Sequence, residues 1–368
     1  MSDRKDYNMA DNIITANRLP GITWNWLKMN DVSIDAGGIK GEGTLAVNAP
    51  DNIKFSGFDP EEAKALTSVE TGMGKETEEL FDKFVASSKD ILVEKGVKSA
   101  STVLIKPEYT KDSSVGSVNV VAREDSDVVL IADLTEIDQN ISDVGIQTKI
   151  LIKDRARVKL VQLYNLGKET SLISNIGAEV GEEARFELIQ IFLGGKNVNA
   201  GCLACLKGDK ASYYERTGYK VETGAKYDFN YVARHEGKKT EADIHANGVM
   251  YQDSYKLMRQ TIDFLRGCSE SKGAEREEVL LMDENLVNKS IPLILCKEED
   301  VEGEHGASIG KISDEILFYL RARGLSDESI YDLMANGKIL TVISEIDDAE
   351  YEKKLTDILV GETIDEEE

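Results

Sequence analysis

The chain has 368 residues, of which 30% are charged and 41% hydrophobic. Its 68 aspartate and glutamate residues outnumber the 44 lysine and arginine residues, and the net charge of -24 disfavours nucleic acid as the main partner. No apolar run is long enough to predict a transmembrane helix, and the N-terminus lacks the apolar stretch of a secretory signal. We therefore expect a cytoplasmic globular protein that does not bind membranes.

Residues 1–95 predict a small, largely helical N-terminal region. Asp59 is a suitable N-cap, Pro60 fits the first helical position, and acidic residues follow in the first turn. Residues 75–86 predict a second, amphipathic helix, because four apolar residues share one of its faces.

Residues 96–309 predict short β-strands separated by polar or glycine-containing turns. One turn recurs in which a small residue lies among polar neighbours, at positions 126, 156, 184 and 211 and thus at intervals of 30, 28 and 27 residues. This spacing favours a parallel β-helix, in which each coil stacks on the last. A β-sandwich whose turns happen to repeat is the alternative.

Residues 310–368 predict a C-terminal helical region. Ser313 is a candidate N-cap for a helix over 314–323, and Gly324 is placed to end that helix. Ser326 opens a second helix, which Asn336 and Gly337 are expected to break. The acidic residues 365–368 are expected to remain solvated.

The cysteines give weak signals for a metal site. Cys202 and Cys205 have the spacing of half a site, but in a strand their side chains point to opposite faces, so we expect buried structural residues. Cys296 ends an apolar run, and Cys268 follows Gly267 and is expected to be more exposed. Each of these two is either a small core residue or a metal ligand.

His305 differs from the other two histidines in its flexible, acidic surroundings, Glu302-Gly303-Glu304-His305-Gly306. An imidazole in this setting is either an iron ligand or a solvated loop residue. His235 and His245 are predicted to be structural or surface residues. No phosphate-binding loop or nucleophile elbow predicts an ATPase or a hydrolase.

The C-terminal half resembles the core of the SufB/SufD family of iron-sulfur cluster assembly proteins. The resemblance is carried by the order and spacing of Val279-Leu280-Leu281-Met282, Ser290-Ile291-Pro292-Leu293, His305-Gly306-Ala307, Leu317-Phe318-Tyr319-Leu320 and Arg321-Ala322-Arg323-Gly324. At the N-terminus, Leu19-Pro20 with Trp24 and Trp26 is similar to a short element of the same family.

The resemblance implies a mainly β fold: a right-handed parallel β-helix with helical N- and C-terminal regions. It also implies a scaffold and not an enzyme, which binds the ATPase SufC, binds no nucleotide itself, and pairs with a SufB-like chain or a second copy of itself. A transient iron-sulfur cluster is expected at that interface. The residues implied for the cluster are His305, Glu304, Cys268 and Cys296, and those implied for SufC are Phe318, Tyr319, Arg323, Gly324, Ile330 and Met334.

The chain departs from the SufB pattern at two places. A cysteine expected near the Leu-Leu block is replaced by Arg276 or Glu277, and a glutamate after the histidine is replaced by Gly306. The pattern is closer to SufD, although Gly303 stands where SufD members often have a cysteine. A polysaccharide-active β-helix enzyme is the alternative function, but the sequence shows no pair of carboxylates at the separation that this chemistry requires.

Overall fold

The computed structural model describes residues 12–21, 27–86, 88–98, 102–109 and 113–361. Trp24, Trp26 and the acidic segment 365–368 lie outside the described residues, as does the start of the chain. None of the helices in the described segments is both long enough and apolar enough to span a membrane.

Most of the chain forms a solenoid of two nine-stranded sheets, and from residue 89 onward successive strands alternate between them. The first sheet consists of β3 (Thr44–Asn48), β6 (Val103–Glu108), β8 (Asp127–Leu134), β10 (Arg157–Leu166), β12 (Arg185–Gly194), β14 (Ser212–Val221), β16 (Glu241–Met250), β18 (Ser271–Leu281) and β20 (Val301–Gly310). The second consists of β4 (Ile53–Lys54), β5 (Lys89–Val93), β7 (Ser113–Ala122), β9 (Asp143–Ile152), β11 (Ser171–Val180), β13 (Asn197–Leu206), β15 (Lys226–His235), β17 (Tyr255–Phe264) and β19 (Val287–Cys296).

Neighbouring strands from β5 onward are parallel and in register, so that Arg157 in β10 lies beside Arg185 in β12. The prediction of a parallel β-helix is therefore confirmed, with about seven turns, and the sandwich alternative is wrong. At the N-terminal end β3 and β4 pair antiparallel with β6 and β5, and we call this the closed end. The end formed by β19 and β20 is the open end.

The recurring turn is the corner that precedes the middle strands of the first sheet, β8, β10, β12 and β14. Ser126, Ala156, Ala184 and Ala211 are fully buried there, and the charged residue before each has a positive φ of 53–58°. The small residue is required because the corner packs against the core, and the left-handed residue reverses the chain direction. Two further copies follow at Lys239-Thr240 and Glu270-Ser271.

The interior of the solenoid is filled by apolar and aromatic side chains from both sheets. Phe229 lies within 5.2–6.1 Å of four other rings, measured between ring centroids. Cys202 faces this core, whereas Cys205 packs in a small cluster on the outside of the second sheet. Both thiols are buried, so the prediction of structural cysteines on opposite faces is confirmed.

His235 and His245 have structural positions, as predicted. His235 is buried, its Nδ1 lies 2.7 Å from the Thr240 hydroxyl, and burial lowers its pKa to about 3. His245 lies on the outside of the first sheet, 3.7 Å from the Glu278 carboxylate.

The N-terminal region combines helices and strands. The two predicted helices are present as α1 (Pro60–Ser68) and α2 (Lys75–Phe84), and Asp59 caps α1 by accepting hydrogen bonds from the N–H groups of Glu61 and Glu62. However, β1 (Ile13–Ala16) pairs with β2 (Val32–Asp35), and β3, β4 and β5 also precede residue 95. The prediction of a largely helical region is wrong here, because strands of two to five residues give too few alternations to recognise.

Three helices follow the open end: α3 (Asp314–Ala322), α4 (Asp327–Ile343) and α5 (Ala349–Val360). Ser313 and Ser326 cap α3 and α4 as predicted. The expected break at Asn336-Gly337 is absent, since α4 runs through both residues. Ala335, Ile339 and Val342 on either side are buried against the outer face of the first sheet, and this packing outweighs the cost of one glycine in a helix, about 1 kcal/mol.

Candidate functional site

At the open end, the inner-facing side chains of the last coil are exposed. In the preceding coils, these positions are covered by the next coil. Nine of the ten residues of β20 are exposed, whereas its partner β18 alternates between buried and exposed positions. A Cβ added to Gly303 would lie 3.0 Å from Ile294 and 3.4 Å from Phe264, a core residue. Odd-numbered residues of β20, including His305, therefore lie on the inner side, since side chains alternate along a strand.

His305 lies directly beside Glu275 of β18 in the parallel ladder. Glu275 is only 1% exposed, no described side chain is hydrogen-bonded to it, and the backbone groups of Leu293 and Ile262 lie against its carboxyl group. Burial raises the pKa of Glu275 to about 9, although backbone groups of Leu293 and Ile262 act in the opposite direction. Burial without a charged partner therefore favours the neutral form of this carboxyl group.

The neighbouring inward carboxylate, Glu277, has a complete set of partners. It accepts hydrogen bonds from the Tyr219 hydroxyl at 2.8 Å, from the Lys256 ammonium and from the Ser290 hydroxyl. Lys256 has no exposed surface. Both charges are therefore neutralised inside the protein, and Glu277 is not available to a ligand.

The structure does not bring the four predicted cluster residues together. Glu304 is exposed and lies on the outer side of β20, because it pairs with Ala274. Cys296 is exposed at the end of β19. Among the described residues there is no group of three or more His, Cys, Asp or Glu side chains that fits a metal ion.

Cys268 differs from the prediction in its exposure. It lies in the corner between β17 and β18, has no exposed surface and belongs to the main core cluster. Burial raises the pKa of its thiol, with a smaller contribution from Glu298. The expectation of a more exposed Cys268 is therefore wrong. A thiol that resists deprotonation is also a poor metal ligand.

The interpretation of His305 as a loop residue is also wrong, because the residue lies within β20. Glu275 was not identified as a candidate from the sequence. Extending the corner repeat to Glu270-Ser271 would have placed Ser271 inward and, by alternation, Glu275 and Glu277 as well. The signal was weak because these last copies carry Thr or Ser where the central ones carry Ala.

The C-terminal helices carry a second candidate surface. Five large apolar side chains are exposed on α3, on the turn after it and on α4; we call them the apolar face, and they are Ile316, Phe318, Tyr319, Leu325 and Leu333. Phe318 is 75% exposed and Tyr319 54% exposed, and the guanidinium of Arg323 lies 4.9 Å from the Tyr319 ring centroid. Such a patch is typical of a protein interaction site.

Four of the six residues predicted to contact SufC, Phe318, Tyr319, Arg323 and Gly324, are exposed around the apolar face. Met334 is half-buried and packs against the helix-sheet cluster. Ile330 has no exposed surface, so the prediction that it contacts a partner is wrong for the folded chain. Its position on α4 serves to attach the helix to the first sheet.

Residues 106–338 match the family model described as "SUF system FeS cluster assembly, SufBD core domain". This segment covers more than half of the chain and includes both the open end and the apolar face. The chain belongs to the SufB/SufD family. The resemblance predicted from the sequence is thereby confirmed.

Individual SufB/SufD family members are distant in sequence. The iron-sulfur cluster assembly protein SufD of Bacillus subtilis is 23% identical over 245 residues, which are 66% of this chain and 56% of that protein. A SufBD family protein of Pyrococcus horikoshii is 24% identical over 231 residues, 62% of this chain and 51% of that protein. SufB of Bacillus subtilis is 25% identical over 165 residues, 45% of this chain and 36% of that protein. The chain spans about half the length, or less, of these relatives.

Proposed function

We propose that the chain is a scaffold subunit of a SUF-type iron-sulfur cluster assembly complex and is not itself an enzyme. In this role it docks the SufC ATPase through the apolar face, and it pairs through the open end with a SufB-like chain or a second copy of itself. The cluster under assembly is its cargo. Membership of the SufB/SufD family supports the general role, and the exposed apolar face is the observation that carries the docking proposal.

The apolar face fits an ATPase docking site because its apolar side chains are exposed, its two helices are held to each other, and it is separate from the solenoid interior. Ser313 caps α3, and Arg321 and Asp327 join the two helices through an ion pair of 2.6 Å. Rigid aromatic anchors such as Phe318 and Tyr319 give much of the binding energy at protein interfaces.

The open end fits a chain-pairing site because both of its edge strands are ten residues long. Long edge strands with unpaired N–H and C=O groups are templates for pairing with another chain. The described residues there include no group of three metal ligands, so a second chain would complete the set.

Co-purification of the tagged full chain with SufC tests the docking proposal. We expect Phe318→Asp to abolish the complex, because a charge would be buried against the partner. Phe55→Asp is the matched control, since Phe55 is 49% exposed near the closed end, and it should retain SufC. Absence of a complex with the unaltered chain, or an equal effect of the two variants, would refute docking at this face.

Anaerobic cluster reconstitution on the co-purified complex tests the cargo role. His305→Ala should lower the iron and sulfide content, read from visible absorption, whereas Cys268→Ser should leave it unchanged because this thiol is buried. Unchanged content in the His305 variant would remove that residue from the site.

A further inference from the structure

A groove of about 670 Å³ lies on the outer face of the second sheet. One wall is β2, and the floor is formed by the N-terminal ends of the strands from β9 to β17. β2 crosses these strands. Before it, the Met29 C=O accepts a hydrogen bond from Arg259 of β17 at 2.9 Å, and after it, Gly38 lies against Asp143 of β9. Within the described segments, no residue of β19, β20 or the C-terminal helices lines the groove.

The free edge of β2 faces this groove. On the other side β2 pairs with β1, and the outer edge of β1 is covered by α2, because the Thr15 N–H donates to the Glu76 carboxylate at 2.6 Å. Thr15 therefore points its backbone groups away from β2, so its partner Ser33 points its own away from β1. Asp35, two residues further, has the same orientation. Among the described residues, the N–H and C=O groups of Ser33 and Asp35 have no hydrogen-bond partner.

A buried amide on the floor of the groove also lacks a partner. Asn199 of β13 is only 7% exposed, and its side chain forms no hydrogen bond with any described residue. Its neighbour in the ladder, Asp228 of β15, is paired by contrast, since it accepts hydrogen bonds from Arg259 at 2.6 Å and from Asn17 at 2.7 Å. Leaving a buried amide without a partner is unfavourable, so Asn199 indicates that a hydrogen-bonding ligand enters the groove.

The charges that lack an internal partner lie at opposite ends of the groove. Asp35 and Asp143 lie at the β9 end, and Lys28 and Lys226 lie towards β15 and β17. None of these four forms an ion pair with a described residue, whereas the other two carboxylates of the groove are paired with arginines. Asp143 and Lys226 are in register three strands apart, which is about 14 Å, and an extended chain covers this distance in about four residues.

We propose that this groove binds an extended segment of a partner protein, which adds to the free edge of β2 as a third strand. Ser33 and Asp35 provide the backbone pairing, as in other cases of strand addition, and Asn199 binds the segment from the floor. The segment carries a basic residue that faces the two carboxylates and, about four positions away, an acidic residue that faces the two lysines. A second folded copy does not fit, because its own β2 edge lies in the same kind of groove. The proposal does not depend on SufC docking or on pairing at the open end.

A synthetic peptide tests the groove. The probe is a fluorescein-labelled peptide of alternating threonine and valine in which one lysine and one glutamate stand about four positions apart. Fluorescence anisotropy with the full chain should show saturable binding. Ser33→Pro should weaken this binding by about tenfold or more, because proline removes the N–H at the free edge. Ser33→Ala is the matched control, since it keeps the N–H, and it should change the affinity by no more than about twofold.

A charge reversal gives a second, independent readout if thermal unfolding shows that Ser33→Pro is not folded. Lys226→Glu should weaken binding of the probe by about threefold or more at low salt. A second peptide, in which lysine replaces the glutamate, should bind this variant better than the unaltered chain.

Three results would overturn strand addition at β2: no saturable binding by the unaltered chain, equal affinities of folded Ser33→Pro and Ser33→Ala, or unchanged affinity in Lys226→Glu. A fourth would assign the edge to a second copy of this chain instead. In that case Ser33→Pro would alter the sedimentation coefficient of the protein and leave peptide binding unchanged.

Discussion

The two ends of the solenoid differ in the strands that terminate the two sheets. At the closed end, Leu45 of β3 and Ile53 of β4 are buried in the main core, and both strands reverse direction relative to their neighbours. At the open end, β20 continues the parallel register for ten residues and remains exposed. Short reversed strands stop further pairing, whereas a long strand in register invites it. The difference indicates that only the closed end is finished within one chain.

The largest contrast is expected between a middle coil and the open end. Phe229→Ala removes a ring from the centre of the aromatic core and should lower the free energy of unfolding by about 3–5 kcal/mol. Val287→Ala, at a residue that is 45% exposed in β19, should lower it by no more than about 0.5 kcal/mol. Urea unfolding followed by circular dichroism measures both, and equal losses would contradict the distinction between filled and open coils.

A buried carboxyl group in a middle coil should make stability depend on pH. Glu215 is fully buried, and burial raises its pKa to about 8, more than the hydrogen bond from Thr217 lowers it. The folded chain thus holds a proton that the unfolded chain, with a pKa of 4.5, releases. The contribution of Glu215 to the free energy of unfolding is therefore complete below pH 4.5. It declines as the pH rises to about 8, by at most about 1.4 kcal/mol per pH unit.

The test of this pH dependence measures the free energy of unfolding at several pH values from about 6 to about 8. Glu215→Gln should reduce the slope, because the amide does not titrate, whereas Glu304→Gln at the open end should leave it unchanged. An unaltered slope in the Glu215 variant would show that this group does not cause the decline.

Two glycines on the first sheet distinguish a position that faces the core, Gly248, from one on the outer face of the open end, Gly306. A Cβ at Gly248 would lie 2.0 Å from the Tyr219 ring, whereas a Cβ at Gly306 meets nothing within 4 Å. Gly248→Ala should cost about 1–3 kcal/mol of folding free energy, and Gly306→Ala about 0.5 kcal/mol or less. Thermal unfolding measures the difference, and a tolerated Gly248→Ala would mean that the core adapts more readily than its packing indicates.

The smallest effect is expected at the corner, where charges alternate from coil to coil. Arg155 lies 2.7 Å from Asp125, and Lys210 lies 2.5 Å from Glu183. Arg155→Glu would place like charges in adjacent coils and should lower stability only slightly, and only at low ionic strength. The loss measured by urea unfolding should shrink in high salt, and a loss that does not depend on salt would assign the effect to the backbone instead.

Features that depend on short sequence patterns were predictable from the sequence. The caps at Asp59, Ser313 and Ser326 and the corner repeat each combine a few residues with one physical requirement, and the structure has all of them. The repeat favoured stacked coils but left a β-sandwich as the alternative, and the family resemblance implied the same β-helix.

Features that depend on distant partners were not predictable in the same way. Glu302-Gly303-Glu304-His305-Gly306 has the composition of a loop, yet it forms a strand because β18 provides a complete parallel ladder. Gly337 is compatible with a helix because α4 packs on the sheet, and Glu275 lies beside His305 only because β18 and β20 pair in register. Each of these depends on contacts between coils that no local pattern records.

The single reversed end also has a consequence for the order of folding. In a solenoid each coil is stabilised mainly by its neighbours, so structure spreads from a formed coil to the next. The closed end emerges first during synthesis, and folding during synthesis generally begins with the N-terminal part of a chain. We therefore expect β20 to be the last strand to join the first sheet, so that the surface offered to a second chain matures only when the rest of the solenoid is complete.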